Sequence, residues 1–595
     1  MIDPYKMVIV NLVLSISLIV VAFIYVKIIP KKKINLFVLL VLISILPIVS
    51  VFRKGTYESG DFTFHIYRAM DFYQSLSDGV FIPSWAGGLN EGFGYPVFIF
   101  IYNFPYYLIS FLHFLGFSFI FSQKLILAGS FIGSGIVMWI VLKKITKNDL
   151  ASFAGSILYL FSPYHLVDLH FRVSIAEVLA FVINPLIFYL VLKTIEKQKL
   201  IYFAWISLFL SVLFLTHPPM FIFYTLIFII YILYQIFTKK ISLKILVGIF
   251  ISILIGLIIS SYAIIPRFSL IKYTTDSLLI KTPIDHVDFQ ELLFSPWRLG
   301  FLFQGPQGEL SFAIGYTGIF IFLISLFLLF KKPHKKYYSD VLFWFIISFW
   351  TIFFMLSYSK PIWDLFPHLR IMQFAYRLLH PLIFSLSILL AYLVLIYKPK
   401  KTLIYFFLIL TIGYTMLNWG NRRTIPQIDD AWIRDNLPHS TKQGEQNYES
   451  VPLWWNNTKD LLVPAKSNLE LVEGDARIKE LSRNSIRHTY GIDVNKPSKF
   501  VENTLYFPNW TISANRKQVQ INYMDEKYNP RIGFELAPGL YFVDVMYHDV
   551  IEVKYAKRIS IVTTLVLLFY IILFHVSQIS KFIFTRLPIT IRKYG

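Results

Sequence analysis

The chain has 595 residues, 56% hydrophobic, 18% aromatic and only 15% charged, with a mean hydropathy of +0.60. A soluble globular domain carries about a quarter charged residues, so a wholly soluble protein is excluded, and the lack of cysteine excludes disulfides, thiol catalysis and Cys-ligated metal sites. The net charge of +21 is spread in short clusters between apolar runs rather than along one face, which argues against nucleic acid as a partner.

Those clusters are Lys31-Lys32-Lys33, Lys143-Lys144, Lys193/Lys197/Lys199, Lys239-Lys240, "KKPHKK" at 331–336, "KPKK" at 398–401, and Arg592 and Lys593. Lysine and arginine gather on the cytoplasmic side of membrane proteins. With the clusters held inside, the apolar runs predict thirteen transmembrane helices at 7–29, 34–52, 119–142, 151–166, 173–193, 201–216, 218–237, 244–264, 312–330, 341–357, 376–397, 402–419 and 559–577. The N-terminus is then outside and the C-terminus cytoplasmic. The first run has no basic n-region and no small-residue cleavage site, so it is read as a helix and not a secretory signal.

Residues 97–115 ("VFIFIYNFPYYLISFLHFL") are long enough to span, but counting them would invert every later loop. Pro105 and the tyrosines Tyr102, Tyr106 and Tyr107 suit a helix lying at the membrane surface or a re-entrant segment. Residues 53–118 thus form one long outer loop. The segments 163–173, 265–311 and 358–375, the turn at His217-Pro218-Pro219 and the block 420–556 also lie outside. In that block "NLELVEG", "NSIRHTYGI", "NWTISANRKQVQINY" and "GLYFVDVMY" alternate or are rich in β-branched and aromatic residues. The expected architecture is an all-α polytopic membrane domain over 1–419, a small extracytoplasmic β-sandwich-like domain over 420–556, and a last helix with a basic tail over 557–595.

The outer ends carry the chemistry. In "SGDFTFHIYRAMDF", Asp61, His65 and Arg68 fall on one arc of a helix opposite Phe62, Ile66, Met70 and Tyr73, with Ser59 or Asp61 as cap. The expected element is an interfacial amphipathic helix; a solvated face with a capping Asp is the plain alternative. "HLVDLHFRVSIAEVL" places His170, Arg172 and Glu177 at the start of a span, with Glu177 one turn inside, where an ionisable group points to function. His217 sits at another outer edge. "FPHLRIMQFAYRLL" adds His368, Arg370, Gln373 and Arg377, the last three at i, i+3 and i+7. Structural readings exist for each: Arg172 pairing Glu177, Arg377 snorkelling.

The stretches "GDFTFHIYR", "GYPVFIFIYNFPYYL", "FRVSIAEVLAF…NPL", "LTHPP" and "QFAYRLL" resemble the membrane proteins labelled 6-pyruvoyl-tetrahydropterin-synthase-related. These are similar to the YfhO-like proteins and, more distantly, to GT-C glycosyltransferases; the tail from "LYFPNWTISANRKQV" to "RISIVTTLV" is similar to the YfhO-like β domain and last helix. The resemblance implies a catalytic Asp in the first large outer loop beside a juxtamembrane helix, a second interfacial helix in that loop, and a sugar donor on a polyprenyl phosphate. Asp61 and 97–115 take those positions. The helix at 7–29 departs from the pattern, which has a single span before this loop.

On that resemblance the expected reaction moves a sugar from a polyprenyl-phosphate or -diphosphate carrier to a cell-envelope glycan, teichoic acid or glycoprotein on the outer face. Asp61 is the expected base, with His65 and Glu91 orienting it or the acceptor. Arg172, Arg370 and Arg377 are the phosphate ligands, since a planar guanidinium fork matches phosphate oxygens, with His217 as helper and Arg68, Glu177 and Gln373 in support. Trp85 and Tyr95 are candidates to stack on a sugar, and 420–556 to bind the acceptor. No cofactor is implied; no metal-ligating constellation stands out, and a divalent metal stays open. Asn456 and Asn509 lie in N-x-T triplets, a weak signal. The alternative reading is a transporter or flippase of a lipid-linked saccharide, which would place its polar groups near the bilayer midplane and show internal repeats.

Overall fold

A computed structural model describes residues 4–29, 33–239, 241–279, 282–331, 335–420, 423–436, 450–454, 465–525, 527–528 and 530–586. Asn456, the basic tail and parts of 420–464 lie outside the described residues.

Among the described residues, eight helices are long and apolar enough to cross a membrane, and two bent pairs bring the number to ten. Three shorter apolar helices, Leu36–Phe52, Leu200–Thr216 and Tyr316–Lys331, complete a set that overlaps the thirteen predicted stretches. Their ends obey local rules. Asn35, Ser118 and Asn148 accept hydrogen bonds from amides of the first turns that follow them, which satisfies orphan donors. At the lysine-rich ends, Lys147, Gln198 and Lys398 take left-handed backbone and close their helices, the usual C-terminal stop.

The core of the bundle is formed by Phe119–Thr146, Ile175–Lys197 and the helix Leu379–Tyr397, which is buried along almost its whole length. Lys6–Ile28 and Ile551–Ile579 instead show apolar side chains over most of their surface, as lipid-facing helices do.

Two predicted spans are broken. Asp149–Leu160 bends by 49° into Pro163–Arg172, and Leu243–Ile259 bends by 66° into Ser261–Tyr273. The first break falls at 163–173, read from the sequence as an outer segment: these residues are buried throughout. They complete the bundle as a short helix, Pro163–Val167, and a π-turn, Asp168–Arg172.

The long loop is ordered. Its helix Phe62–Ser77 packs against Phe104–Phe114 and Phe119–Thr146. The 97–115 stretch is two helices, Val97–Phe100 and Phe104–Phe114, separated at 101–103. Neither is a span.

The β-rich domain is a six-stranded antiparallel sheet. The strands Leu469–Asn484 and Arg487–Leu505 form a long hairpin with several register shifts. The first half of Arg487–Leu505 pairs with Gly539–Tyr547 and its second half with Arg531–Leu536, while Trp510–Ala514 and Lys517–Val519 extend the outer edge. The domain sits on the long loop. Trp85 inserts among Phe507, Trp510 and Tyr547, the Phe93 carbonyl accepts the Leu505 amide at 2.9 Å, and the Asp78 carboxylate accepts the Ser485 amide at 2.7 Å.

Candidate functional site

The site lies at the end of the bundle that bears the sheet. Its centre is Glu177, in the first turn of Ile175–Lys197 and fully buried. Glu177 Oε1 accepts from Arg172 Nη2 at 3.0 Å and from Arg377 Nε at 3.2 Å, and lies 3.7 Å from His217 Nε2. Its other oxygen accepts the Tyr164 hydroxyl. Arg172 also donates to Asp168 Oδ1 at 2.6 Å and to Tyr164 at 3.1 Å. A buried carboxylate is tolerable only with such partners.

A helical i, i+5 spacing would hold Arg172 and Glu177 well apart in angle. The π-turn, followed by Val173 at φ 56°, folds Arg172 back over Glu177. The same turn receives the long loop. Gly60 N and Asp61 N donate to the Phe171 and Arg172 carbonyls, both at 2.8 Å. A Cβ on Gly60 would come within 3.2 Å of the Arg172 carbonyl, so the close approach suits glycine.

Asp61 precedes the helix Phe62–Ser77 without capping it through its side chain; the Ser59 hydroxyl accepts the Phe62 amide instead. The amphipathic-surface expectation is corrected here. His65 and Arg68 are buried together with Phe62, Ile66 and Met70, because Phe104–Phe114 covers the predicted polar arc. His65 Nδ1 lies 3.0 Å from the Tyr106 hydroxyl, and the Arg68 guanidinium sits 3.7 Å over the Phe64 ring. Burial, helped by Arg68, lowers the His65 pKa to about 3, so the imidazole is neutral at physiological pH.

Tyr102 joins the two halves. Its ring is stacked 6.4 Å from His217 and 6.3 Å from Tyr106. Burial, then Tyr106 and the Asp61 carboxylate, push its phenol well above the ordinary range, opposed by Arg68 and Arg377. Asp61, Arg68 and Arg377 thus act electrostatically on the ring that stacks on His217.

The other predicted residues fall elsewhere or change partners. Arg377 Nη1 donates to the Met372 carbonyl at 2.6 Å and to Gln373 Oε1 at 3.3 Å. The expected single helix face through Arg370, Gln373 and Arg377 does not form, because Gln373 adopts φ 61° between two 3₁₀ turns. Arg370 faces Asp364 at 2.8 Å. Glu91 is buried in a turn with φ 57°. Trp85 and Tyr95, read as sugar-stacking candidates, are buried, Trp85 under the sheet. Asn509 is also buried, its amide donating to the His548 carbonyl.

Asp71 escaped the sequence reading. It accepts the Gly88 amide at 2.8 Å, and burial raises its carboxyl to about 7 against that hydrogen bond. Among the described residues, no group of three or more His, Asp or Glu side chains is placed to hold a metal ion.

The model of the 6-pyruvoyl-tetrahydropterin synthase related domain, a membrane-protein family, matches residues 100–420. The chain belongs to this family. The matched segment contains Tyr102, Arg172, Glu177, His217, Arg370, Gln373 and Arg377, and begins after Asp61, His65, Arg68 and Glu91. An uncharacterized protein of Lactococcus lactis subsp. cremoris (strain MG1363) is 25% identical over 327 residues, 52% of either chain. The chain thus spans about half the length of this curated relative. Among solved structures, the chain is similar to the arabinofuranosyltransferase AftD from Mycobacteria, with a TM-score of 0.42, 14% identity, and coverage of 68% of this chain and 29% of that one. It is also similar to the Archaeoglobus fulgidus oligosaccharyltransferase, with a TM-score of 0.41, 12% identity, and coverage of 68% and 57%.

Proposed function

We propose that this membrane protein is a glycosyltransferase that moves a sugar from a polyprenyl-phosphate-linked donor to an acceptor on the extracytoplasmic face. The observation that carries the reading is the convergence of the Asp61 segment with the Glu177-centred cations at one end of the bundle. The lysine clusters mark the opposite end as cytoplasmic. A transporter would place its polar site near the midplane; Glu177 lies in the first turn of its helix.

In this reading an acceptor hydroxyl oxygen attacks the anomeric carbon while the bond from that carbon to the phosphate oxygen breaks. The hydroxyl proton passes to Asp61, and the electron pair leaves on the carrier phosphate. Among the described residues Arg377 Nη2 has no protein acceptor, and the side chain is 14% exposed. That edge is the phosphate ligand. Arg172, held by Asp168, Glu177 and Tyr164, positions Glu177 and through it Arg377. Neutral His65 orients Tyr106 and does not supply the proton.

The test is glycan and lipid-carrier analysis of a deletion strain. An accumulating polyprenyl-linked sugar, relieved by the wild-type gene and not by Asp61→Asn, is the expected outcome. Unchanged glycans and carriers would remove the reading. Cysteines at 148 and 400 resist an impermeant thiol reagent in this orientation, and one at 440 reacts; the reverse pattern would turn the site to the cytoplasm.

A further inference from the structure

The break between Val97–Phe100 and Phe104–Phe114 is built by specific bonds. Asn103 donates its amide to the Phe98 carbonyl at 3.0 Å, and its own carbonyl accepts the Tyr106 and Tyr107 amides at 3.0 and 3.2 Å. Pro105 follows in the first turn of the second helix, where its missing N–H costs nothing. Ile101 is extended, at φ −103° and ψ 170°. The link therefore holds Tyr102 off both helices.

Three elements wall its ring. Tyr106 lies parallel within 6°, His65 is 6.2 Å away on Phe62–Ser77, and His217 closes the side toward Glu177. A ring fixed this firmly has a defined hydroxyl position. Yet among the described residues that hydroxyl has no hydrogen-bond partner, and the side chain is half-buried. The hydroxyl is not buried, so it is open to a ligand. Asp61, Arg68 and Arg377 are near enough to act on it electrostatically.

We infer that Tyr102 is a substrate-contacting residue whose hydroxyl donates a hydrogen bond to a phosphate oxygen of the lipid-linked donor, beside the free edge of Arg377. The inference rests on the donor reading above. It gives the phosphate one neutral donor and one guanidinium edge, and places the sugar–phosphate junction between Arg377 and Asp61. The parallel Tyr102 and Tyr106 rings then serve as the wall that orients this junction.

The experiment uses the full chain in lipid nanodiscs with decaprenyl phosphate as probe. Tyr102→Phe removes only the hydroxyl, and a hydrogen bond to a charged group is worth about 10- to 100-fold in binding. Tyr102→Phe is expected to raise the Kd for decaprenyl phosphate by that factor. Tyr107→Phe, which loses only a bond to the Phe81 carbonyl, is expected to leave it unchanged. Independently of variant folding, 3-fluorotyrosine at position 102 reports on the wild-type fold, and its fluorine resonance is expected to move on titration with the probe. Equal binding by Tyr102→Phe, or a static resonance while the wild-type protein binds, overturns the Tyr102 assignment and leaves the donor reading standing. No binding by the wild-type protein removes both. A shift produced equally by phosphatidic acid vesicles or inorganic phosphate overturns the assignment in favour of a general phosphate contact.

Discussion

Among the described residues, two fully buried glutamates keep nearly the same company. Glu177 has Arg172, Arg377, His217 and Tyr164; Glu502 has Arg483 at 2.7 Å, His488 at 2.8 Å and Tyr490 at 3.1 Å. The surroundings differ. Around Glu502 every partner comes from the Leu469–Asn484 and Arg487–Leu505 hairpin, so the cluster closes on itself within two neighbouring strands. Around Glu177 the four partners come from three separate segments, one of them leaves a guanidinium edge uncommitted, and the backbone beside Arg172 holds a further carboxylate, Asp61. The same residue types thus make a strut within one hairpin in one place and, in the other, a cluster with a free guanidinium edge. Connectivity and an uncommitted donor distinguish them, not composition.

The comparison breaks most sharply at Asp61. If the Glu177 region works on substrate, Asp61→Asn lowers transfer by about 10²–10⁴-fold, the contribution of a positioned base, with protein level and insertion normal. Ser59 supplies the side-chain cap, so a lost cap is no rival explanation. Activity assayed on purified protein decides, and an active Asp61→Asn enzyme would make the two clusters equivalent struts.

The next effect belongs to the sheet. Glu502→Ala leaves the partly exposed Arg483 and the buried His488 without their carboxylate, and the cost stays below the about 3–5 kcal/mol of breaking a fully buried pair. Denaturant unfolding of the sheet should shift accordingly while transfer by the folded fraction is retained. Loss of activity in the folded fraction would show that the sheet does more than hold the loop.

The spans were legible because hydrocarbon admits little besides long apolar helices. Arg172, Glu177, His217 and Arg377, which the structure brings together, stand out in the sequence because charged groups at span ends are costly to bury, and Asp61 stands out by its helical spacing with His65 and Arg68 and by the resemblance. What was missed was set by backbone breaks and by covering partners. Periodicity assumes an unbroken helix, so it placed Arg370 with Arg377 and could not foresee Gln373 at φ 61°. Helical spacing alone does not bring Arg172 onto Glu177, a pairing read only as the structural alternative; the π-turn that makes it carries no sequence period. Trp85 reads as a free aromatic until the sheet that buries it is in place. Tyr102 was one tyrosine among 37, and only the break at Asn103 sets it apart.

A pH titration sharpens the comparison from the sheet side. Burial pushes Glu502 up, but His488 and Arg483 outweigh it and hold the carboxyl at about 2 against an ordinary 4.5. A depressed carboxylate stabilises the fold above its unfolded pKa and loses that contribution as pH falls through the folded value. About 3 kcal/mol should therefore disappear between pH 4.5 and 2. Hydrogen exchange of the Phe500 and Val501 amides in the full chain reads this, and the pH dependence should vanish in Glu502→Gln.

The smallest effect concerns the coupling inside the site. Arg172 touches both Asp168 and Glu177, so Arg172→Gln alone also frees Asp168, and Glu177→Gln alone also frees Arg377 and His217. Each single change should weaken transfer by more than the direct Arg172–Glu177 contact. The double variant removes that contact only once, so its cost falls short of the sum by about 0.5–3 kcal/mol, the range for residues in one network. The same cycle on Arg483 and Glu502 should show its coupling in unfolding free energy and none in transfer rate. Coupling in transfer at both pairs would make the sheet cluster part of the working site. Additivity at Arg172 and Glu177 would mean that Arg172 acts on substrate directly and does not position Glu177.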